Sequence, residues 1–141
     1  GVFVLLRTSN PGSKDLQCLP YEGESLYFTL GDKLRELSKD YLGSSGYSAL
    51  GLVTGGTHRD EGEKIRRRYK EQFFLIPGYG AQGGTAAEAL LYLDEDKNGG
   101  VINSSRGIIT AYKNYPDGEE RFSHYTRKAV LDMKEDLYGR L

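Results

Sequence analysis

Three short stretches carry side chains with which chemistry could begin. Residues 73–84, FFLIPGYGAQGG, run from an apolar segment through Pro77 into a loop with glycines at 78, 80, 83 and 84. Glycine has no Cβ, so backbone N–H groups in such a loop can approach an anion closely. The following TAAEALLYL reads as a helix whose N-terminus adds partial positive charge, and Gln82 is a polar side chain of the loop that can point at a ligand. Residues 103–107, Asn-Ser-Ser-Arg-Gly, set Arg106 beside Ser105. The planar guanidinium fork suits phosphate oxygens. Taken alone, that loop reads more plainly as a surface arginine next to helix-capping serines; two anion-friendly loops in succession favour a shared phosphate site. Residues 8–12, Thr-Ser-Asn-Pro-Gly, read most plainly as a capped turn, though they also bring the Ser9 hydroxyl to the end of an apolar run.

The elements that must position these loops follow from the hydrophobic pattern. Apolar, β-branched or aromatic runs at 2–7, 49–53, 73–76 and 101–102 read as short buried strands. Helical patterns lie between and after them at 26–41, about 59–72, 85–93 and about 121–138. Strand, loop and helix recur four times, which implies a parallel sheet covered by helices. A complete (β/α)₈ barrel runs to about 250 residues, and the 141 residues here accommodate half of one. The first strand begins at residue 2, so the chain is expected to start in the middle of such a fold, as the C-terminal half of a barrel. An open parallel α/β sheet is the alternative. In such barrels polar residues at the C-terminal strand ends face the active-site mouth, and the last two βα loops often hold phosphate.

Other chemistries find less support. Gly78-x-Gly80-x-x-Gly83 matches the dinucleotide fingerprint formally, but the next strand ends in Asn103-Ser-Ser, with no acidic residue to hold a ribose hydroxyl. An NAD-binding fragment is therefore a weak third reading. His58 and His124 stand far apart, without metal-ligand company, and are read as surface residues. Cys18, the single cysteine, has no nearby base and no electropositive setting. No Walker lysine follows Gly55-Gly56. A net charge of −1 argues against nucleic-acid binding by bulk electrostatics. The basic run Arg66, Arg67, Arg68 and Lys70 shares its predicted helix with Asp60, Glu61, Glu63 and Glu71, and reads as a solvated face. No signal peptide or membrane-length apolar run is present, so a cytoplasmic location is the expectation.

In this order, the motifs Thr8-Ser-Asn-Pro-Gly, Pro77-Gly-Tyr-Gly-Ala-Gln-Gly-Gly and Val101-Ile-Asn-Ser-Ser-Arg-Gly give a chain that strongly resembles orotidine 5′-monophosphate decarboxylase, in the longer bacterial-type branch of that family. The likeness covers nearly all 141 residues but only the C-terminal half of the family's barrel. It implies an enzyme without metal or cofactor that converts orotidine 5′-monophosphate to UMP and carbon dioxide, homodimeric when complete. By position, Ser9 would bond the pyrimidine, Gln82 would bridge base and phosphate from a closing lid loop, and Pro77 would pack near the ribose phosphate. Arg106 would clamp the phosphate beside the backbone N–H groups of Ser105 and Arg106.

The family's bond-breaking residues form an Asp-x-Lys-x-x-Asp motif that this chain lacks. Asp132-Met-Lys134-Glu-Asp136 comes near it, but Leu137 occupies the place of the last aspartate. The segment lies in the terminal helical pattern and reads as a solvated face. No catalytic residue is assigned to the chain, which is expected to be inactive without a separate N-terminal half. A stand-alone phosphate- or nucleotide-binding module without catalysis is the competing expectation.

Overall fold

The computed structural model describes residues 1–56, 59–80 and 83–139. Strand β1 (Val2–Arg7) leads through a short helix α1 (Ser13–Gln17) and a two-stranded hairpin, β2 (Pro20–Tyr21) with β3 (Glu24–Ser25), into helix α2 (Leu26–Ser38). Then come β4 (Ser48–Thr54), α3 (Arg59–Arg68), β5 (Gln72–Pro77), α4 (Ala86–Leu90), β6 (Gly100–Asn103), α5 (Ser105–Ile109) and α6 (Phe122–Tyr138). Two 3₁₀ turns, Lys39–Tyr41 and Ala111–Asn114, complete the path. The main sheet runs β1-β4-β5-β6, every pair parallel. Strand order follows chain order, with no reversal. A dinucleotide fold binds at a point where that order reverses, so this topology removes the fingerprint reading of the glycine loop and leaves the barrel one.

The expected strands are present, each extended by a residue or two except the first. Two helical expectations need correction. The pattern over 59–72 stops at Arg68 because Tyr69 and Gln72, both fully buried, turn inward and Gln72 already belongs to β5. The pattern over 85–93 is a helix only to Leu90; a capping box between Thr85 and Glu88 starts it, and a turn then drops Tyr92 and Leu93 into the core. The hairpin, α1 and α5 were absent from the pattern, being too short to show periodicity.

The solvated-face reading of the basic run also needs correction. Arg66 is 7% exposed and donates to the carbonyls of Tyr69, Lys70, Gln72 and Gly99. Arg68 pairs with both Asp32 and Glu24. Arg67 and Lys70 do face solvent. Buried carbonyls at a helix end need donors, and one guanidinium supplies several. The Arg68 contact holds the Asp32 carboxyl below the usual carboxylate range. A depressed folded-state pKa contributes stability that is present above the unfolded value, about 3.9, and is lost as pH falls through the folded one. Acid titration of the melting temperature should therefore show a decline below about pH 4 that Asp32→Asn makes shallower.

A single core lies between the sheet and its helices, built on Leu6, Leu52, Phe74 and Ile76 from the strands and on Tyr27, Leu34, Ile65, Tyr69, Ala89, Tyr92 and Leu137 from the other elements. Helix α2 presents Tyr27, Gly31, Leu34 and Ser38 on one buried face at helical spacing. Gly31 is required there, since a Cβ would overlap the Tyr69 hydroxyl, which donates to the Phe28 carbonyl at 2.9 Å. Gly31→Ala gains helix propensity of about 0.8–1 kcal/mol. Overpacking nevertheless should leave it destabilised by about 1–2 kcal/mol in denaturant unfolding.

The opposite face of the sheet is apolar and open. Phe3, Leu5 and Val101 are exposed there, Leu5 to 61%, while Val53, Phe73 and Leu75 are half-buried. Parallel sheets are ordinarily covered on both faces. Strands that alternate core residues with Phe, Leu and Val on the other side call for that face to be covered, as a barrel interior or a second layer would cover it.

Candidate functional site

All four main strands are parallel, so their C-terminal ends share one rim, where each of the three sequence motifs emerges. At one end of the rim, residues 8–11 follow β1 and line a cleft of about 530 Å³ with Leu5, Val53, Gly55 and Pro77. Ser9 and Pro77, expected to contact one ligand, thus share one cleft. The Ser9 Oγ is buried and has no hydrogen-bond partner among the described residues. It packs so closely over Gly55 that any side chain there would collide with it, which is the reason for glycine at that strand end.

Strand β5 runs through Pro77, whose register partner is Asn103 of β6. The Pro77 carbonyl accepts from Gly56 N at 2.8 Å, tying the loop after β4 to the loop after β5. The glycine loop that follows closes on itself: Gly80 N donates to Gly84 O at 2.9 Å, Gly83 N to Gly80 O at 2.8 Å and Gly84 N to Gly78 O at 3.1 Å. Positive φ at Gly78, Gly80 and Gly83 (112°, 70° and 85°) makes glycine necessary at those turns. Gly84 has another constraint, because a Cβ would meet the carbonyl oxygens of Gly56 and Gly78, each at 2.8 Å. Gln82, the lid residue expected to bridge base and phosphate, lies outside the described residues, as does His58.

Beyond β6, Ser105 and Arg106 stand exposed in the first turn of α5. Ser105 Oγ donates to Asn103 Oδ1 at 3.2 Å, and no side-chain bond or ion pair joins Arg106 to the described residues. Ser104, passed over in the sequence, links the two anion-friendly loops: it is buried and its hydroxyl donates to the Tyr79 carbonyl at 3.2 Å. Tyr79 in turn donates to Asp136 of α6 at 2.6 Å, and burial together with that bond raises its hydroxyl to about 12, so it stays protonated. The glycine loop is thereby anchored to α5 and α6. Neither contact left a signal in the local pattern.

Helix α6 disposes of the near-match to the missing motif. Asp132 pairs with Lys128 at 2.7 Å on the exposed side of the helix, Lys134 is exposed, and Leu137 is buried. Asp132 and Lys134 lie on a helix and not at a strand end, exposed as expected of a solvated face, whereas Asp136 is bonded to Tyr79 just beyond β5. His124 is exposed as expected, and Cys18 is half-buried against the core. No group of acidic, histidine and cysteine side chains among the described residues could hold a metal ion.

No family model matches the chain. Over 139 residues it is 63% identical to the orotidine 5′-phosphate decarboxylase of Petrotoga mobilis, and over 138 residues 50% identical to that of Clostridium novyi. Its relatives are the orotidine 5′-phosphate decarboxylases. Both matches take in 97% of this chain and 48% of the relative, so the chain spans about half the length of these decarboxylases. Solved structures agree. A Toxoplasma gondii chain described as an orotidine-monophosphate-decarboxylase superposes with a TM-score of 0.71 at 28% identity, covering 92% of this chain and 51% of that one. Leishmania donovani UMP synthase superposes at 0.59 and 32% identity, covering 91% and 27%. The fold is accordingly a partial (β/α)₈ barrel of the decarboxylase type, and the uncovered apolar face is the interior of that barrel. No helix among the described residues is long and apolar enough to cross a membrane.

Proposed function

We propose that this chain is the C-terminal half of an orotidine 5′-monophosphate decarboxylase, spanning residues 1–141, and that it supplies the phosphate and base contacts for conversion of orotidine 5′-monophosphate to UMP and carbon dioxide. The observation that carries this reading is the shared rim: the Ser9–Pro77 cleft, the glycine loop and the Arg106 loop lie side by side at the C-terminal ends of adjacent parallel strands. Ser9 bonds the pyrimidine, Pro77 packs against the ribose phosphate, and Arg106 with the N–H groups of Ser105 and Arg106 holds the phosphate. The glycines at 78, 80, 83 and 84 let the loop carrying Gln82 close over the ligand.

Binding energy from a phosphate remote from the reacting carbon is useful in decarboxylation because it can be spent on loop closure and on organising charge where carbon dioxide departs. The lysine and aspartates that do so come from the complementary N-terminal half, whose strands cover the open apolar face. Without that half the chain is inactive. With it, the protein is a homodimeric cytoplasmic lyase that needs no metal or cofactor and binds neither nucleic acid nor membrane. A stand-alone binding module would leave Phe3, Leu5 and Val101 facing water, a cost that the barrel avoids.

The phosphate dependence of binding tests the site. Calorimetric titration of the assembled barrel should give UMP an affinity at least about 100-fold above that of uridine, the worth of two charge-assisted hydrogen bonds. Equal affinities would refute the reading.

A further inference from the structure

Arg7 is fully buried at the very place where the chain leaves β1 for the cleft, and the contacts around it are more elaborate than a strand end needs. Its guanidinium donates to Glu61 Oε2 at 2.7 Å, to Ser13 Oγ at 2.7 Å, to the Thr8 carbonyl at 3.1 Å and to Gln17 Oε1 at 3.2 Å. Gln17, from the last turn of α1, then closes the circuit. Its Oε1 also accepts from Thr8 N at 3.0 Å, and its Nε2 donates to Thr8 Oγ1 at 3.0 Å. Thr8 Oγ1 passes the bond on to Asn10 Oδ1 at 2.6 Å. The amide has only one workable orientation, since reversing it would set its NH₂ against two N–H donors. Gly55 N donates to the Arg7 carbonyl at 2.6 Å and pins the same peptide from β4.

Every polar group of Thr8 named here is held by Arg7 or Gln17, or spans to Asn10. The next residue, Ser9, lines the cleft, and its buried hydroxyl has no partner among the described residues. We propose that Gln17, locked by the buried Arg7 that Glu61 pairs with, is a positioning residue that fixes residues 8–10 so that the Ser9 hydroxyl meets the pyrimidine. This rests on the decarboxylase reading. A preset hydroxyl loses no rotational or loop freedom when the base arrives, and a displacement of about an ångström can cost orders of magnitude in rate.

The test is a double-mutant cycle on Ser9→Ala and Gln17→Met in the assembled barrel, reading kcat/KM for orotidine 5′-monophosphate and affinity for ribose 5-phosphate, which carries no base. Each single variant should lose about tenfold in kcat/KM, the worth of one well-made hydrogen bond, with ribose 5-phosphate affinity unchanged. The double variant should lose hardly more than Ser9→Ala alone. A loss that multiplies to about 100-fold, or a parallel loss of ribose 5-phosphate affinity, would overturn the proposal. Should Gln17→Met not fold, the cycle is run with Gln17→Glu, which keeps both acceptor bonds and removes the donor to Thr8; the same non-additivity is required. If Ser9→Ala has no effect while UMP still binds more tightly than uridine, the base contact of Ser9 falls and the positioning role with it, although the phosphate site stands.

Discussion

Arg106→Ala weakens UMP binding by about 100-fold and leaves the affinity for uridine unchanged. The magnitude follows from two charge-assisted hydrogen bonds lost from a phosphate, together about 3 kcal/mol. The arginine is exposed and bonded through its side chain to none of the described residues, so its removal strips no structural contact. Its backbone carbonyl accepts from Thr110 N at 3.1 Å and Thr110 Oγ1 at 2.7 Å, and alanine preserves both. The melting temperature should therefore stay within the range of an ordinary surface substitution, about 0.5 kcal/mol. Arg106→Lys should recover part of the loss, because an ammonium keeps the charge but not the paired geometry of the fork. Titration of UMP and uridine against the three proteins, with thermal melts alongside, checks all of this.

Arg66→Met has the opposite signature: it destabilises the fold without touching the site. Four carbonyls, of Tyr69, Lys70, Gln72 and Gly99, accept from this one guanidinium, which lies 4.4 Å from the centre of the Phe74 ring. Tyr69, Lys70 and Gln72 form the passage from α3 to β5, and Gly99 leads into β6. The side chain therefore fixes where two adjacent strands begin. Methionine fills much of the space but takes the guanidinium from all four carbonyls; those of Tyr69 and Gly99 keep a backbone donor in Gln72 N and Phe74 N, and at about 1–3 kcal/mol for each buried acceptor left without one the net loss is about 3–5 kcal/mol. In a domain of this size that lowers the melting temperature by about 10–15 °C. Arg66→Lys should not restore it, since a single ammonium cannot span four carbonyls. Differential scanning calorimetry reads the loss directly.

The strands, their parallel pairing and the loops at their ends were legible in the sequence because each is a local signal: a β-branched or apolar run, then glycine, proline or serine. The long helices α2 and α6 were legible by periodicity. What could not be read was decided by contacts between distant segments. Arg66 carries the same charge as Arg67, yet one is buried and the other solvated, because only one points at the carbonyls where α3 ends. Ser104 and Ser105 are identical neighbours, and the rotation from one residue to the next, about 100° in a helix, decides which hydroxyl reaches Tyr79. Arg7 ends a strand like any polar residue until Glu61, 54 positions later, is brought against it. The candidate site divides the same way: Ser9, Pro77 and the glycines were visible as motif residues, while Arg7, Gln17 and Ser104, which hold them in place, gain their meaning only in the fold.

On the function proposed above, this chain recognises the nucleotide while a complementary half breaks the bond. The most direct measurement mixes the chain with a separately produced N-terminal half carrying the Asp-x-Lys-x-x-Asp motif and follows orotidine 5′-monophosphate by its loss of absorbance and release of carbon dioxide. Neither half alone should turn over, the mixture should give UMP as product, and that turnover should be lost when the lysine of the added half is replaced. A correctly assembled mixture that binds UMP yet releases no carbon dioxide would contradict it.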